Sequence, residues 1–375
     1  MNTKKLGVLL PFLLTIFVLS CSQHHEMSEG EKMEYSELLR MDVHDGYSVI
    51  DIINPWDTTR LLQRLVLAKD LSRHDLPADG VKVRVPLSRA LVASTVHCSL
   101  LAEWGCLDAV KAVCDREYIS VPEVLEAIDN GSITDCGPSM SPVVEKVASV
   151  HPDALFLSPY EKMDMGKLES LEVPVILCAD YMESSPLGRA EWVKLYGMLF
   201  GVEEKAEKAF KATVAEYSRL KALAHAAKTT PSVLSDRAYG QTWYQPSSES
   251  TVGRMYADAG ATTPFIGRSG YYGSIPLPTE EVFLKARDCD VWLVKDERPV
   301  TKAILASENK LYCHIEAYRK GNIWTCLTKE TRFYEETPFH PDLLLADMIR
   351  IFHPDLNLPG ENRYFKCEKK TEKAN

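Results

Sequence analysis

Residues 202–225 carry neither glycine nor proline and are rich in Ala, Glu and Lys. Ala206, Phe210, Val214, Tyr217, Leu220 and Ala224 recur at spacings of three or four, which is the apolar stripe of one long helix. At ~1.5 Å per residue, about 24 residues make a rod of ~36 Å. On both sides of it the chain changes rhythm to short apolar runs alternating with short helical patterns. A rod of that length between two such stretches restricts the chain to two bodies with a bridge.

Ahead of the rod, residues 81–93 read as a strand or strand pair, 99–107 as a helix, 109–114 as a strand and 121–128 as a helix stopped by Asn130-Gly131. Residues 141–150 form another helix, with Ser141 at the cap and Pro142 at its first position. The unbroken run Ala154 to Leu157 is the type buried in parallel sheets, and 173–179 is the next strand. After Pro231 the same alternation returns, with strands at 232–235, 291–294 and 322–326 and helices at 251–259, 280–286 and 342–352. Glu145 precedes the first half's apolar run, as Glu280 and Glu281 precede the second's. The fold class is therefore α/β: two similar three-layer lobes joined by one long linker helix, with a ligand cleft between them. The divisions are 1–20 signal peptide, 21–79 tether and N-terminal extension, 80–200 first lobe, 201–228 interlobe helix, 229–366 second lobe and 367–375 charged tail. Within the extension, residues 51–56 read as an added strand packed on the first lobe.

Lys4 and Lys5 precede an apolar run ending in Leu19-Ser20-Cys21, a basic start and short apolar core of the secretory type. Cys21 after a small residue resembles a lipobox, so the expectation is lipidation at Cys21 and a soluble body held to a membrane outside the cytoplasm. The net charge of −10, with no basic run, argues against nucleic acid as a partner. Of ten cysteines, nine remain once Cys21 is set aside, an odd number, and no two are separated by only two residues. Buried thiols are the simplest reading of Cys98, Cys106 and Cys114.

No phosphate loop, nucleophile elbow or His-Glu-x-x-His pair occurs. Rings and charges do gather at the ends of predicted strands: His97, Tyr118, Tyr160 and Tyr181 in the first half; Arg237, Tyr239, Trp243, Tyr244, Arg268, Tyr271, Tyr272, Lys295, Arg298, Arg332 and Tyr334 in the second. Ligands of open α/β sheets sit beyond the carboxyl ends of the strands. Rings there offer flat apolar contact, and arginines offset anionic ligand groups. The set suits a large, flat or chelated, partly anionic molecule.

The stretches 144–157, 171–176, 186–192, 279–282, 290–294 and 341–349, in this order, resemble the class III periplasmic substrate-binding proteins of ABC importers, over roughly residues 80–360. The resemblance implies two rigid lobes, a shallow cleft, and delivery of an iron chelate (ferric siderophore or haem) to an inner-membrane permease. Cobalamin or another corrinoid is the alternative cargo. It also implies that Glu145 on one lobe and Glu280, with Glu281 adjacent, on the other dock onto the permease. A monomer with no cofactor, no metal of its own and no enzymatic activity is expected. Two other readings stand beside it: an enzyme acting on a metal chelate or tetrapyrrole, and a lipoprotein that assembles with a partner and binds no small molecule.

Overall fold

The computed structural model describes residues 31–267 and 273–368. The signal segment, Cys21, Arg268, Tyr271, Tyr272 and the end of the charged tail lie outside the described residues.

The extension is a folded sheet. Strands Glu31–Lys32, Leu39–His44, Tyr47–Ile53, Leu61–Ala68 and Val81–Arg84 pair in chain order, antiparallel except for the last pair. The turn Asp45-Gly46, with Gly46 at φ +84°, joins two of them with His44 opposite Tyr47, the two-residue hairpin that needs a left-handed glycine. Alternation then sorts the side chains. Ile50, Ile52, Leu65, Leu67 and Val83 face the first lobe and merge with its core, while Val66, Ala68 and Leu76 form a small outer core. On that outer side Arg64 holds Asp51 at 2.6 Å and Asp79 at 2.6 Å. Within the extension read at 21–79, Tyr47–Ile53 overlaps the added strand foreseen at 51–56, and four further strands pack with it, the first of them at Glu31–Lys32.

Two carboxylates secure the entry to this sheet. Glu191, fully buried, accepts from the backbone amides of Glu34, Tyr35 and Ser36 at 3.2, 2.8 and 2.9 Å. Glu183 accepts from the Ser36 hydroxyl, from the amides of Glu37 and Leu38 at 3.0 and 3.1 Å, and from the Trp192 indole at 2.8 Å.

The first-lobe sheet is wholly parallel, in the order Val175–Leu177, Ala154–Leu157, Ala90–Val92, Val110–Val113, Thr134–Asp135. Its exposed edge is covered by a side chain: the Gln63 amide donates to the Val175 carbonyl at 2.7 Å and accepts from the Leu177 amide at 2.9 Å, a strand partner in miniature.

Helix Val193–Phe200 stops at Gly201 (φ +70°), and the long helix follows as Glu203–Ala224, 22 residues. Ala206 and Phe210 belong to the first lobe's core and Tyr217, Leu220 and Ala224 to the second's, so one apolar stripe is divided between two bodies. The second-lobe sheet is smaller: Val233–Ser235, Val291–Asp296 and Ile323–Leu327 run parallel, and Lys366–Cys367 adds an antiparallel edge. A separate antiparallel strand pair, Thr242–Pro246 with Ser274–Pro278, lies beside it. Helix Pro341–Phe352 packs back onto the long helix.

Candidate functional site: a cleft between the lobes

Parallel strands deliver their loops to one end of each sheet, and here those ends line two adjoining cavities that form the cleft. In the first lobe Ser94 and Thr95 follow Ala90–Val92, Asp115 follows Val110–Val113, and Ser158 and Tyr160 follow Ala154–Leu157. With Tyr118, Met140, Met163 and Met165 they line a cavity of about 400 Å³. A second cavity of about 340 Å³ is lined by Thr95, Tyr118 and Ser120 from the first lobe and by Glu297, Thr328, Lys329, Tyr334 and Glu335 from the second. Thr95 and Tyr118 belong to both, so the two cavities adjoin, one within the first lobe and one between the lobes. Asp115 bends the wall into shape: it sits at φ +53° and accepts from the Ser139 amide at 2.9 Å.

The floor is a polar bridge. Glu335, buried, reaches across to the Thr95 hydroxyl at 3.1 Å and to the amide and hydroxyl of Ser120 at 2.8 and 2.6 Å. On the far side of the same segment Arg332 donates to the Ser99 hydroxyl at 2.9 Å, and His340 meets Glu103 at 2.7 Å.

The second lobe's cations are held by its own carboxylates. Arg237 pairs with Asp296 and Glu308. Lys295 lies 2.8 Å from Asp236; burial disfavours its ammonium, and Asp236 more than restores it, so its pKa is raised. Lys329 pairs with Glu297 at 3.0 Å. Partial desolvation raises the pKa of the Tyr334 phenol, which lines the cleft.

Of the residues expected to touch a ligand, the structure brings Tyr160 and Tyr334 to the cleft. Tyr181 lines neither cavity; it is half-exposed, its hydroxyl donating to the Pro159 carbonyl. Tyr239, Tyr244 and Arg298 are exposed, but none of them lines either cavity. Arg332 turns away to a different pocket with Glu103, Glu336 and His340. Two expectations are corrected by burial. His97 is inside the first lobe, its Nε2 3.1 Å from Asp180 and 3.0 Å from the Tyr196 hydroxyl. Trp243 is fully buried, its indole donating to the Ser235 carbonyl at 2.8 Å while its ring packs on Trp292 and Tyr312. A strand-end position is not enough; helix Thr95–Glu103 turns His97 inward, and the strand alternation that puts Trp243 in the core puts Tyr244 outside. The methionines were missed. Their only signal is Met163-Asp164-Met165, two large apolar residues in an otherwise polar loop.

Glu145 and Glu280 are both exposed on the first turns of short helices, Val144–Ser149 and Thr279–Ala286; Glu281 pairs with Lys285 at 2.9 Å. Val144, next to Glu145, lines the cleft. Cys98, Cys114, Cys136, Cys178, Cys289 and Cys326 are buried, and Cys106 and Cys313 partly so, with no disulfide between any of these eight.

Residues 100–328 match the family described as periplasmic binding protein. This chain belongs to that family. It is a class III periplasmic binding protein, in which two α/β bodies meet across a cleft. An uncharacterized lipoprotein of Methanocaldococcus jannaschii is 25% identical over 304 residues, covering 76% of this binding protein and 70% of the relative. A periplasmic haem-binding protein from Pseudomonas aeruginosa superposes with a TM-score of 0.58 at 18% identity, covering 74% of this chain and 96% of the other. A possible iron-binding, periplasmic solute-binding protein from Staphylococcus epidermidis superposes with a TM-score of 0.56 at 16% identity, covering 72% and 99%. Among the described residues no helix of the binding protein is long and apolar enough to cross a membrane.

Proposed function

We propose that this binding protein is the receptor of an ABC import system. It captures a bulky metal chelate in the interlobe cleft and hands it to an inner-membrane permease without covalent chemistry. The observation that carries the reading is a pair of adjoining cavities at the carboxyl ends of the two sheets: Tyr118 and Tyr160 line the first with three methionine side chains, and Tyr118 and Tyr334 line the second, between the lobes. Rings and thioethers give a broad, polarisable, adaptable surface with few fixed demands on hydrogen bonding, which suits a large planar ligand. Ferric siderophore or haem is the cargo that the family resemblance favours. Lipidation at Cys21 holds the receptor at the membrane, and Glu145 with Glu280 and Glu281 orients it on basic permease residues.

One observation favours a second cargo. On the second-lobe wall Lys329 faces Glu297, and Glu335 lies on the same wall, so a strongly anionic chelate finds little uncompensated positive charge there. A nearly neutral corrinoid needs none. Thermal unfolding with haemin, ferric desferrioxamine or cyanocobalamin separates these cargoes. A ligand present at 100 times its Kd adds about 2.7 kcal/mol of stability, so one compound should raise Tm and the others should not. No shift with any of the three would remove the receptor reading in this form.

A further inference from the structure

Cys114 and Cys136 end neighbouring parallel strands of the first lobe and stand opposite each other. Val113 pairs with Asp135, and the Cys136 amide donates to the Val113 carbonyl at 2.8 Å, which sets the next residue, Cys114, beside Cys136. Both side chains point to the same face, because both pack with Leu91, Ala93, Leu155 and Leu157. Residues facing each other on adjacent strands are about 5 Å apart, inside the range of Cα separations a disulfide spans. The neighbouring thiols of Cys98 and Cys178 belong to the core on the sheet's other face.

The pair also sits under the ligand wall. Asp115 follows one cysteine directly, and Ser139, Met140, Ser141 and Pro142 follow the other, all lining the first-lobe cavity. We propose that Cys114 and Cys136 form a disulfide that staples this wall of the cleft when the chain matures in an oxidising compartment. The inference takes its compartment from the exported reading of the chain, while the pairing itself rests on sheet register.

The chemistry is thiol–disulfide exchange. The thiolate of one cysteine attacks a disulfide carrier, such as oxidised glutathione or an oxidised dithiol protein, and releases one carrier thiol. The other cysteine then attacks the mixed disulfide and releases the second. Two electrons and two protons leave with the reduced carrier, and one S–S bond remains. In the folded lobe burial pushes the Cys136 thiol up to about 11 and Cys114 higher still, so the exchange belongs to folding, before these strands are covered. Once formed, the bond is shielded from reductant by the same burial.

Arg116 lies between the two cysteines, so trypsin places them on separate peptides, 112–116 and 117–146. The test is to reduce and unfold the full-length protein, refold it in a glutathione redox buffer, alkylate it and map the peptides. The expected product is the 112–116/117–146 linked pair, with Tm lowered by roughly 5 °C on reduction. That difference should vanish in Cys114→Ala and in Cys136→Ala and persist in Cys98→Ala. Alkylation of both peptides after oxidative refolding, or a link from either to another cysteine, would overturn the proposal. Because the buffer supplies the oxidant, the outcome is independent of whether the chain is exported or of what it carries.

Discussion

The Glu335 carboxylate of the second lobe lies 2.6 Å from the Ser120 hydroxyl of the first, at the floor of the cleft. The same oxygen takes the Ser120 amide and the Thr95 hydroxyl. Removing it leaves these partly buried donors without their charged acceptor. Glu335→Ala is expected to lose about 1–3 kcal/mol in urea unfolding, more than Ser120→Ala alone. Equal stabilities for wild type and Glu335→Ala would show that the bridge contributes nothing.

His340 and Glu103 join the lobes on the opposite side, 2.7 Å apart. Burial opposes charge on the His340 ring, but Glu103, with Asp342 and Glu336 nearby, outweighs it and raises its pKa above 6.5. A raised pKa means that the contribution is complete below the unfolded value and fades as pH rises through the folded one. His340→Ala should therefore cost more at pH 5.5 than at pH 8.5. Glu103 is nearly half exposed, which keeps the difference under about 1 kcal/mol. Urea titrations of both proteins at the two pH values check the sign.

Glu191 holds three consecutive backbone amides of the segment that leads into the N-terminal sheet. With Glu191→Ala, those amides and Lys194 lose their buried partner, and a loss of roughly 3 kcal/mol is expected. Limited proteolysis gives an independent measure: cleavage near residues 31–38 should precede cleavage elsewhere. An unchanged digestion pattern would mean that the sheet is held by its apolar face alone.

Tyr118 lines both cavities, whereas Tyr239 is 84% exposed and lines neither. Tyr118→Ala is expected to weaken binding of the cargo identified by thermal shift about tenfold, the scale of one aromatic contact. Tyr239→Ala should leave it unchanged. Isothermal titration of both variants decides between the interlobe cleft and the exposed rings as the binding surface.

Glu145 and Glu280 lie on exposed first turns of their helices. If they dock the receptor, Glu145→Arg and Glu280→Arg should keep full ligand affinity and reduce uptake in cells at least tenfold. Loss of ligand binding in either variant would instead assign them to the cleft.

Much of this architecture was legible because burial leaves periodic marks. The long helix and the runs Ala154–Leu157 and Val291–Val294 are apolar in the patterns their positions require. The N-terminal sheet was harder to read: its strands bury their faces partly against another body and partly under Leu76 and the Asp51–Arg64–Asp79 cluster, so neither strict alternation nor a continuous apolar run marks them. In the cleft, Tyr160 and Tyr334 were found by their place after strands. The same reasoning misplaced His97 and Trp243, since a ring looks alike in sequence whether it faces Asp180 in a core or a ligand in a groove.

Local pattern alone determined that this protein is α/β, that a rod divides it, and where its strands end, because those features depend on spacing along one chain. Which rings face the cleft, which arginines are already neutralised, and which cysteines meet were decided by tertiary structure. Those outcomes depend on residues far apart in sequence, as Glu335 and Ser120 are, being brought within a hydrogen bond's length by the packing of two separate cores.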